Sequence, residues 1–208
     1  MNLTYISASF IPSQNANSVH VMKMCRSFAR AGHDVTLFAQ LGHQENVRDI
    51  YGFYGIDPVF RLEQTERVPL KFFWNMFYAR SVCNMLKQDL PEIVYGRHVY
   101  ALALAAQRFK NIKIGYEAHA LPLNMVQKKL EAGLFKQKNF KRLITITEAL
   151  KQDYLAAFPF LSAAQISVAP DGADPHDNTA PAHDLPGSKD AFRHAMPDGS
   201  SKAREQAS

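Results

Sequence analysis

The 208-residue chain has little of several residue types that usually reveal a protein's chemistry. It contains two cysteines and one tryptophan. No group of His, Cys, Asp and Glu residues in the sequence has the spacing of a metal site, and no glycine-rich P-loop is present. Evidence for a function therefore has to come from the polar residues of loops and strand ends.

The scarcity of cysteine and of long apolar runs also restricts the class of protein. Cys25 and Cys83 each lie within an apolar helical pattern, which favours a reduced, intracellular protein over a disulfide-bonded one. The first residues lack the basic start and apolar core of a signal peptide. No window approaches the roughly 18 apolar residues of a membrane-spanning helix. We expect a soluble, cytoplasmic protein.

Composition indicates one domain and an anionic partner. Hydrophobic residues make up 47% of the chain, which is enough for one sizeable core, and the formal net charge of +5 favours an anionic ligand or surface. Residues 175–208 contain few large apolar residues, so we expect a domain over 1–174 followed by a disordered tail.

Strand-like and helix-like patterns alternate along residues 2–170. The strand-like segments are rich in Ile and Val without strict alternation, which is typical of parallel strands buried on both faces. The pattern predicts an α/β fold, a doubly wound, mostly parallel, Rossmann-like sheet. The predicted strands are NLTYISAS, DVTLFA, PVFRLE, EIVYG, IKIGYEAH, RLITIT and QISVAP. The predicted helices are 19–31, a short polar one before PVFRLE, 68–88, 99–110, 124–140 and 147–157.

The loop after the first strand, SQNANSVHVMK (13–23), suggests an anion site. Ser18 is predicted to cap the next helix, which would leave the amides of Val19–Met22 as unpaired donors at its positive end. Asn15 and Asn17 tolerate left-handed backbone angles and can replace glycines in such a loop. The alternative is that Ser18 is only a helix cap in a solvated turn.

Further polar residues follow later strands, and the carboxyl ends of parallel strands are where open α/β sheets bind ligands. Each of these residues taken alone has a structural explanation, such as a satisfied histidine or a turn dipeptide. Four polar clusters at successive strand ends favour a shared site. They are Arg97 and His98, Glu117 and His119, Thr147 and Glu148, and Asp171 and Gly172.

Four segments resemble glycosyltransferase family 4: SVHVMKMCRSFARAGHDVTLF, YEAH, ITITEALKQDY and ISVAPDGAD. The resemblance covers about residues 1–174 and implies the N-terminal, acceptor-side half of a GT-B fold. It implies a retaining transfer of a sugar from a nucleotide-sugar to a saccharide or lipid-linked acceptor, with no metal and no cofactor beyond that donor substrate. The absence of a D-x-D motif agrees with this.

The resemblance also implies roles for individual residues. Residues 15–18 stand where the family has a Gly-Gly turn near the donor diphosphate, and His20 matches a histidine just inside the following helix. His119 would hold the transferring sugar or the acceptor hydroxyl as the catalytic residue, with Glu117 as its partner or an acceptor-site carboxylate. Arg97 would meet an anionic acceptor or phosphate. Asp171 and Gly172 would lead into the cleft and the second domain.

The family's nucleotide-binding half is marked by a spaced pair of glutamates, which is not found in this sequence. We therefore expect the chain alone to be an incomplete enzyme that needs a separate donor domain. The alternative is a non-catalytic binding domain for an acidic glycan, lipid or protein. Nucleic-acid binding is not supported by any recognition motif.

Two segments could contact an anionic membrane at the inner face. Residues 72–78 are aromatic, and QKKLEAGLFKQKNFKR (127–142) is basic. A core helix and a solvated flank are the alternatives.

Overall fold

Parallel strands form a single sheet in the computed structural model, which describes residues 1–42, 47–65 and 74–170. Within those ranges the strands are β1 (Asn2–Ile11), β2 (Asp34–Leu41), β3 (Arg61–Thr65), β4 (Ile93–Gly96), β5 (Lys113–Ala118), β6 (Phe140–Thr145) and β7 (Ile166–Val168). Their order is β3-β2-β1-β4-β5-β6-β7, and every pairing between neighbours is parallel. This confirms the predicted α/β fold class.

The helices occupy the predicted positions, although the first begins earlier than predicted and others are shorter. They are α1 (Ala16–Arg30), α2 (Ile50–Phe53), α3 (Trp74–Leu86), α4 (Val99–Arg108), α5 (Met125–Phe135) and α6 (Glu148–Ala157). The predicted helix 124–140 ends at Phe135, because the chain turns there to enter β6. The first part of the predicted helix 68–88, the predicted boundary at residue 174 and the predicted tail 175–208 lie outside the described residues.

The core has two parts because neighbouring side chains of a strand point to opposite faces. In β1, Tyr5 belongs to the cluster that packs α1 and α2 against the sheet, and Ile6 belongs to the cluster under α3, α4, α5 and α6. Leu37 and Phe38 of β2 divide in the same way. Helices on both faces are the arrangement that the near-continuous apolar strands indicated.

Helix α1 begins earlier than the sequence suggested, and this corrects the prediction for Ser18. The N-cap is Asn15, whose carbonyl oxygen accepts from the amides of Ser18 at 2.9 Å and Val19 at 3.1 Å. Ser18 is 1% exposed, and its hydroxyl donates to the carbonyl oxygen of Phe10 at 3.1 Å. Ser18 therefore ties the helix to the end of β1. The predicted set of unpaired amides over Val19–Met22 is wrong, because those residues lie inside the helix.

Two local features of the strands position the carboxyl edge of the sheet. The β1–β2 pairing shifts register between Ile6 and Phe10, so Ser7–Ser9 leave the regular ladder. Gly96 ends β4 with a φ of +154°, and a Cβ atom there would lie 2.1 Å from the carbonyl oxygen of Ile6. Only glycine allows this contact between β4 and β1.

None of the helices in the described ranges has the length and apolar character required to cross a bilayer.

Candidate functional site

A cavity of about 520 Å³ lies at the carboxyl edge of the sheet, beyond β1, β4 and β5. We call it the Glu117 cavity. It is lined by the start of α1, the residue after β4, the end of β5 and the loop that leads into α5. The lining residues are Ala16, Asn17, His20, Arg97, Tyr116, Glu117, His119, Ala120, Leu121, Leu123 and Gln127.

A buried carboxylate organises the polar wall of the cavity. Glu117 is 3% exposed, and its Oε1 accepts from Arg97 Nε at 2.9 Å and lies 2.7 Å from His119 Nε2. Its Oε2 accepts from the hydroxyls of Tyr95 at 2.7 Å and Tyr5 at 3.2 Å. Both oxygens are therefore held by donors, as a buried carboxylate requires.

The surroundings keep Glu117 ionised. Burial alone would raise its pKa, but the charge of Arg97 and the hydrogen bonds from His119, Tyr95 and Arg97 outweigh burial and hold the pKa below its usual range. Burial, together with the charge of Glu117, raises the pKa of Tyr5 well above its usual range, so that hydroxyl stays a donor. The carboxylate is thus a fixed acceptor at neutral pH.

Arg97 connects the first turn of α1 to β5. Its Nη1 donates to Asn17 Oδ1 at 2.7 Å, while Nε and Nη2 donate to Glu117. The Nδ2 of Asn17 donates in turn to Ser9 Oγ at 2.7 Å. The Arg97 side chain is 15% exposed, so its charge is balanced mainly by Glu117 inside the protein.

The two histidines of the cavity lie next to each other. The rings of His20 and His119 are 6.3 Å apart between centroids and meet edge to face at 82°. His20 Nε2 lies 3.9 Å from Glu117 Oε1, so both imidazoles face the same carboxylate. The side chain of His119 is 31% exposed, whereas that of His20 is 15% exposed. His119 is thus the more accessible imidazole for a ligand hydroxyl.

Five of the predicted site residues line the Glu117 cavity together, and the others that the structure describes do not. The five are Asn17, His20, Arg97, Glu117 and His119. Asn15 is the exposed N-cap of α1, and Ser18 is buried behind that turn. Asp171 and Gly172 lie outside the described residues.

His98, Thr147 and Glu148 are at helix starts away from the cavity lining. His98 is 5% exposed, its Nδ1 accepts from the amide of Ala101, and burial lowers its pKa to about 4. Thr147 caps α6 by accepting from the amide of Leu150 at 3.1 Å, as its position predicted. Glu148 is exposed and pairs with Lys151 at 3.2 Å. These contacts account for the three residues structurally.

Sequence reasoning missed two kinds of lining or supporting residue. Tyr5 and Tyr95 are partners in the β1–β4 register, and both hydroxyls reach Glu117. In the sequence they look like ordinary core tyrosines, because one sequence does not show which strands pair. Leu121 and Leu123, on the loop before α5, form an apolar rim that their spacing did not suggest.

In the described ranges, no group of three or more His, Cys, Asp and Glu side chains is arranged to hold a metal ion.

The fold and the position of the cavity are those of doubly wound α/β domains, whose ligands bind at the carboxyl edge of the sheet. The N-terminal domain of a GT-B protein is a domain of this kind. The family model for Glycosyltransferase Family 4 matches residues 18–177. The chain belongs to this family.

Solved structures share the fold at low sequence identity. Sucrose-phosphate synthase from Thermosynechococcus elongatus aligns with a TM-score of 0.59 and 15% identity over 83% of this chain and 48% of its own. WaaG, a glycosyltransferase involved in lipopolysaccharide biosynthesis, aligns with a TM-score of 0.55 and 16% identity over 83% of this chain and 46% of its own. UDP-GlcNAc 2-epimerase from Neisseria meningitidis, bound to UDP-GlcNAc, aligns with a TM-score of 0.56 and 13% identity over 81% of this chain and 45% of its own. The chain spans less than half the length of each, and a search of curated protein sequences finds no match.

Proposed function

We propose that the chain is the acceptor-binding half of a retaining, nucleotide-sugar-dependent glycosyltransferase. The observation that supports this most is the cluster of Arg97, Glu117 and His119 in one cavity at the carboxyl edge, in a chain that belongs to Glycosyltransferase Family 4. The acceptor is a saccharide or a lipid-linked saccharide, and the donor sugar comes from a nucleotide-sugar substrate.

His119 is the residue proposed to contact the reacting groups. Its imidazole is partly exposed to the cavity and is held by the Glu117 carboxylate through Nε2. An imidazole can donate to or accept from a sugar hydroxyl near neutral pH. Glu117 acts as a positioning residue, because it is buried and its oxygens are engaged by protein donors. A fixed histidine reduces the entropy lost when the acceptor is aligned.

The transfer is proposed to require a nucleotide-sugar-binding domain in addition to the described residues. The chain covers 45–48% of the three solved structures compared above. Positioning two reactants between two domains is worth up to about 7–11 kcal/mol of the barrier. Residues 1–208 without such a domain should therefore transfer sugar poorly or not at all.

The test combines binding and transfer. Purified 1–208 is titrated calorimetrically with saccharide and lipid-linked acceptors, and is assayed for sugar transfer alone and with an added family 4 donor domain. His119→Gln should weaken acceptor binding or transfer at least about tenfold. His33→Gln is the matched control. His33 precedes the amino end of β2, whereas the Glu117 cavity lies at the carboxyl edge of the sheet.

Two results would contradict the proposal. Sugar transfer by 1–208 alone would refute the need for a second domain. Equal effects of His119→Gln and His33→Gln would remove His119 from the reaction. Binding of an acidic glycan, lipid or protein, with no transfer under any pairing and no response to a nucleotide-sugar, would favour the alternative of a non-catalytic binding domain.

A membrane-facing rim is a further part of this proposal, with the protein cytoplasmic and peripheral at the inner face. Apolar side chains are exposed at the cavity mouth and the start of α5: Leu121 is 37% exposed, Leu123 88%, Met125 66% and Val126 60%. Four exposed lysines lie farther along the chain, in α5 and in the turn after it: Lys128, Lys129, Lys136 and Lys138. Apolar residues beside lysines are typical of a surface that contacts anionic lipid.

Liposome flotation tests this rim. Wild-type 1–208 should float with vesicles containing anionic phosphatidylglycerol and not with neutral phosphatidylcholine vesicles. Replacing the four lysines by Gln, or Leu123 and Val126 by Ser, should reduce flotation. Flotation that is unchanged in both variants would exclude this rim as the membrane contact. The proposed membrane contact does not include the aromatic segment 72–78. Tyr78 is buried at 3% exposure, and residues 72 and 73 lie outside the described ranges.

A further inference from the structure

A second cavity, of about 350 Å³, opens where β2 and β3 end and α3 begins. We call it the Trp74 cavity. It differs from the Glu117 cavity in having no acidic, basic or histidine side chain among the lining residues that the structure describes, which are Gln40, Gln64, Thr65, Trp74, Phe77, Tyr78, Ser81 and Met85. A volume of a few hundred Å³ with aromatic walls and a few polar groups is typical of a small-molecule site.

Two glutamines on one side of the cavity have fixed orientations. Gln40 Nε2 donates to the carbonyl oxygen of Ala8 at 2.7 Å, and Gln64 Nε2 donates to that of Ile11. Main-chain carbonyls only accept, so these contacts fix which end of each amide is the nitrogen. The Oε1 atoms of Gln40 and Gln64 are then the acceptors that these side chains can offer to a ligand.

Aromatic rings form the opposite side. Phe77 is 43% exposed although it lies in the first turn of a helix that packs against the sheet. The ring of Trp74 packs against Tyr78, with centroids 5.9 Å apart, and the Tyr78 hydroxyl donates to the carbonyl oxygen of Phe38 at 3.1 Å. The rings are thus held in place, which makes them a rigid apolar surface.

We propose that the Trp74 cavity binds an uncharged sugar unit of the acceptor. Hydroxyl groups supply the donors that two glutamine oxygens require, and the C–H face of a sugar ring can pack on Trp74 and Phe77. A charged group would find no counter-charge among the described lining residues, so its desolvation would be costly. A purely apolar ligand would leave the glutamine oxygens unsatisfied. The identification of this sugar as part of the acceptor rests on the proposed function. The binding of an uncharged sugar in this cavity does not depend on catalysis.

One segment of β1 is hydrogen-bonded to a lining residue of each cavity, although the two sets of described lining residues do not overlap. The irregular segment Ser7–Ser9 of β1 accepts from both sides: Ser9 Oγ accepts from Asn17 of the Glu117 cavity, and the carbonyl oxygen of Ala8 accepts from Gln40 of the Trp74 cavity. Strands β2 and β4 flank β1 in the sheet. The path of β1 at Ser7–Ser9 therefore positions a lining residue of each cavity.

The single tryptophan of the chain provides a direct assay, since Trp74 lines the cavity itself. Its fluorescence is followed while 1–208 is titrated with N-acetylglucosamine, maltose, cellobiose and lactose, and with glucuronate and inorganic phosphate as charged comparators. Saturation-transfer NMR on the same sugars gives a second readout. At least one uncharged sugar should give a saturable change at millimolar concentration or below.

Two variants locate the binding. Phe77→Ala removes an exposed ring, and Gln64→Met removes the amide oxygen while Ile11 still accepts from the amide of Gly42 at 2.8 Å. Each should raise the Kd at least about tenfold. Phe160→Ala is the matched control, because Phe160 is 48% exposed and does not line this cavity. It should change the Kd less than about twofold. Circular dichroism confirms that each variant is folded.

The inference is overturned if neither readout detects any of the four sugars, if a charged comparator binds more tightly than all of them, or if Phe77→Ala and Gln64→Met bind like wild type. Binding here combined with no transfer beside a donor domain would instead contradict the proposed function. Transfer to an acceptor that leaves Trp74 and the NMR signals unchanged would contradict only the present inference.

Discussion

Arg97 and Asn17 are 80 positions apart in sequence and are joined by a hydrogen bond of 2.7 Å between Nη1 and Oδ1. The same guanidinium group donates to Glu117 through Nε and Nη2. One planar side chain therefore fixes the distance between the start of α1 and the end of β5, a task that needs three donors in a rigid fork.

Arg97→Lys should break this connection while keeping the charge. An ammonium group cannot reach both Asn17 and Glu117 in the same geometry, so we expect the free energy of unfolding to fall by about 1–3 kcal/mol. Urea denaturation measures it. Arg61→Lys is the control, because Arg61 is 54% exposed and its ion pairs contribute little. Equal effects of the two variants would contradict the bridging role of Arg97.

The stability that Glu117 contributes should depend on pH in one direction. Its folded pKa is below the unfolded value of about 4.3, so the contribution is complete above that value and is lost as the pH falls through the folded pKa. The difference in unfolding free energy between wild type and Glu117→Gln should be about 3 kcal/mol at pH 7 and should shrink below pH about 4. Chemical denaturation at several pH values checks this, with exposed Glu63→Gln as the control. A difference that does not change with pH would refute it.

Glu131 should show the opposite dependence. It is fully buried, and burial raises its pKa. Its Oε1 accepts from Tyr116 at 3.0 Å and Gln127 at 3.1 Å, while Oε2 has no hydrogen-bond partner among the described residues. Because the folded pKa is above the unfolded one, stability is present below the unfolded pKa and is lost as the pH rises through the folded pKa.

Glu131→Gln keeps the shape and is neutral at every pH. Relative to wild type, the variant should therefore become more stable as the pH rises from about 4 to 8, by about 1.4 kcal/mol for each pH unit by which the fold raises the pKa. The same denaturation series measures this. A variant that loses stability relative to wild type over that range would show that the carboxylate is stabilised when ionised.

Gly96→Ala should separate β4 from β1. The added Cβ would lie 2.1 Å from the carbonyl oxygen of Ile6, at a φ of +154° that only glycine adopts readily. We expect a loss of more than about 2 kcal/mol in unfolding free energy. Gly133→Ala in α5 is the control: nothing lies within 4 Å of a Cβ there, and alanine should stabilise that helix by about 0.5–1 kcal/mol. Similar values for both would contradict the close contact.

Regular elements were the part of the structure that the sequence predicted well. The strand before Asn17, the strand before Arg97 and the strand that contains Glu117 were located from apolar runs alone. Parallel pairing then brings their carboxyl ends to one edge, which is why five predicted site residues lie in one cavity.

Other features depend on contacts between distant residues and were not predictable. The start of α1 was misplaced because serine is a residue type that often caps helices. The Ser18 hydroxyl instead donates to the carbonyl oxygen of Phe10. Arg97 was expected to meet an external anion, and its partner is Glu117. The orientation of Gln40 depends on the irregular path of β1 at Ala8, which no sequence pattern marks.

The Glu117 carboxylate takes its partners from Tyr5 in β1, from Tyr95 and Arg97 in and after β4, and from His119 after β5. Tyr95, Arg97, Glu117 and His119 all belong to one β4–α4–β5 unit, and only Tyr5 comes from outside it. The cluster therefore joins this local unit to the neighbouring strand β1, and it should be lost in the same cooperative transition that unfolds the sheet.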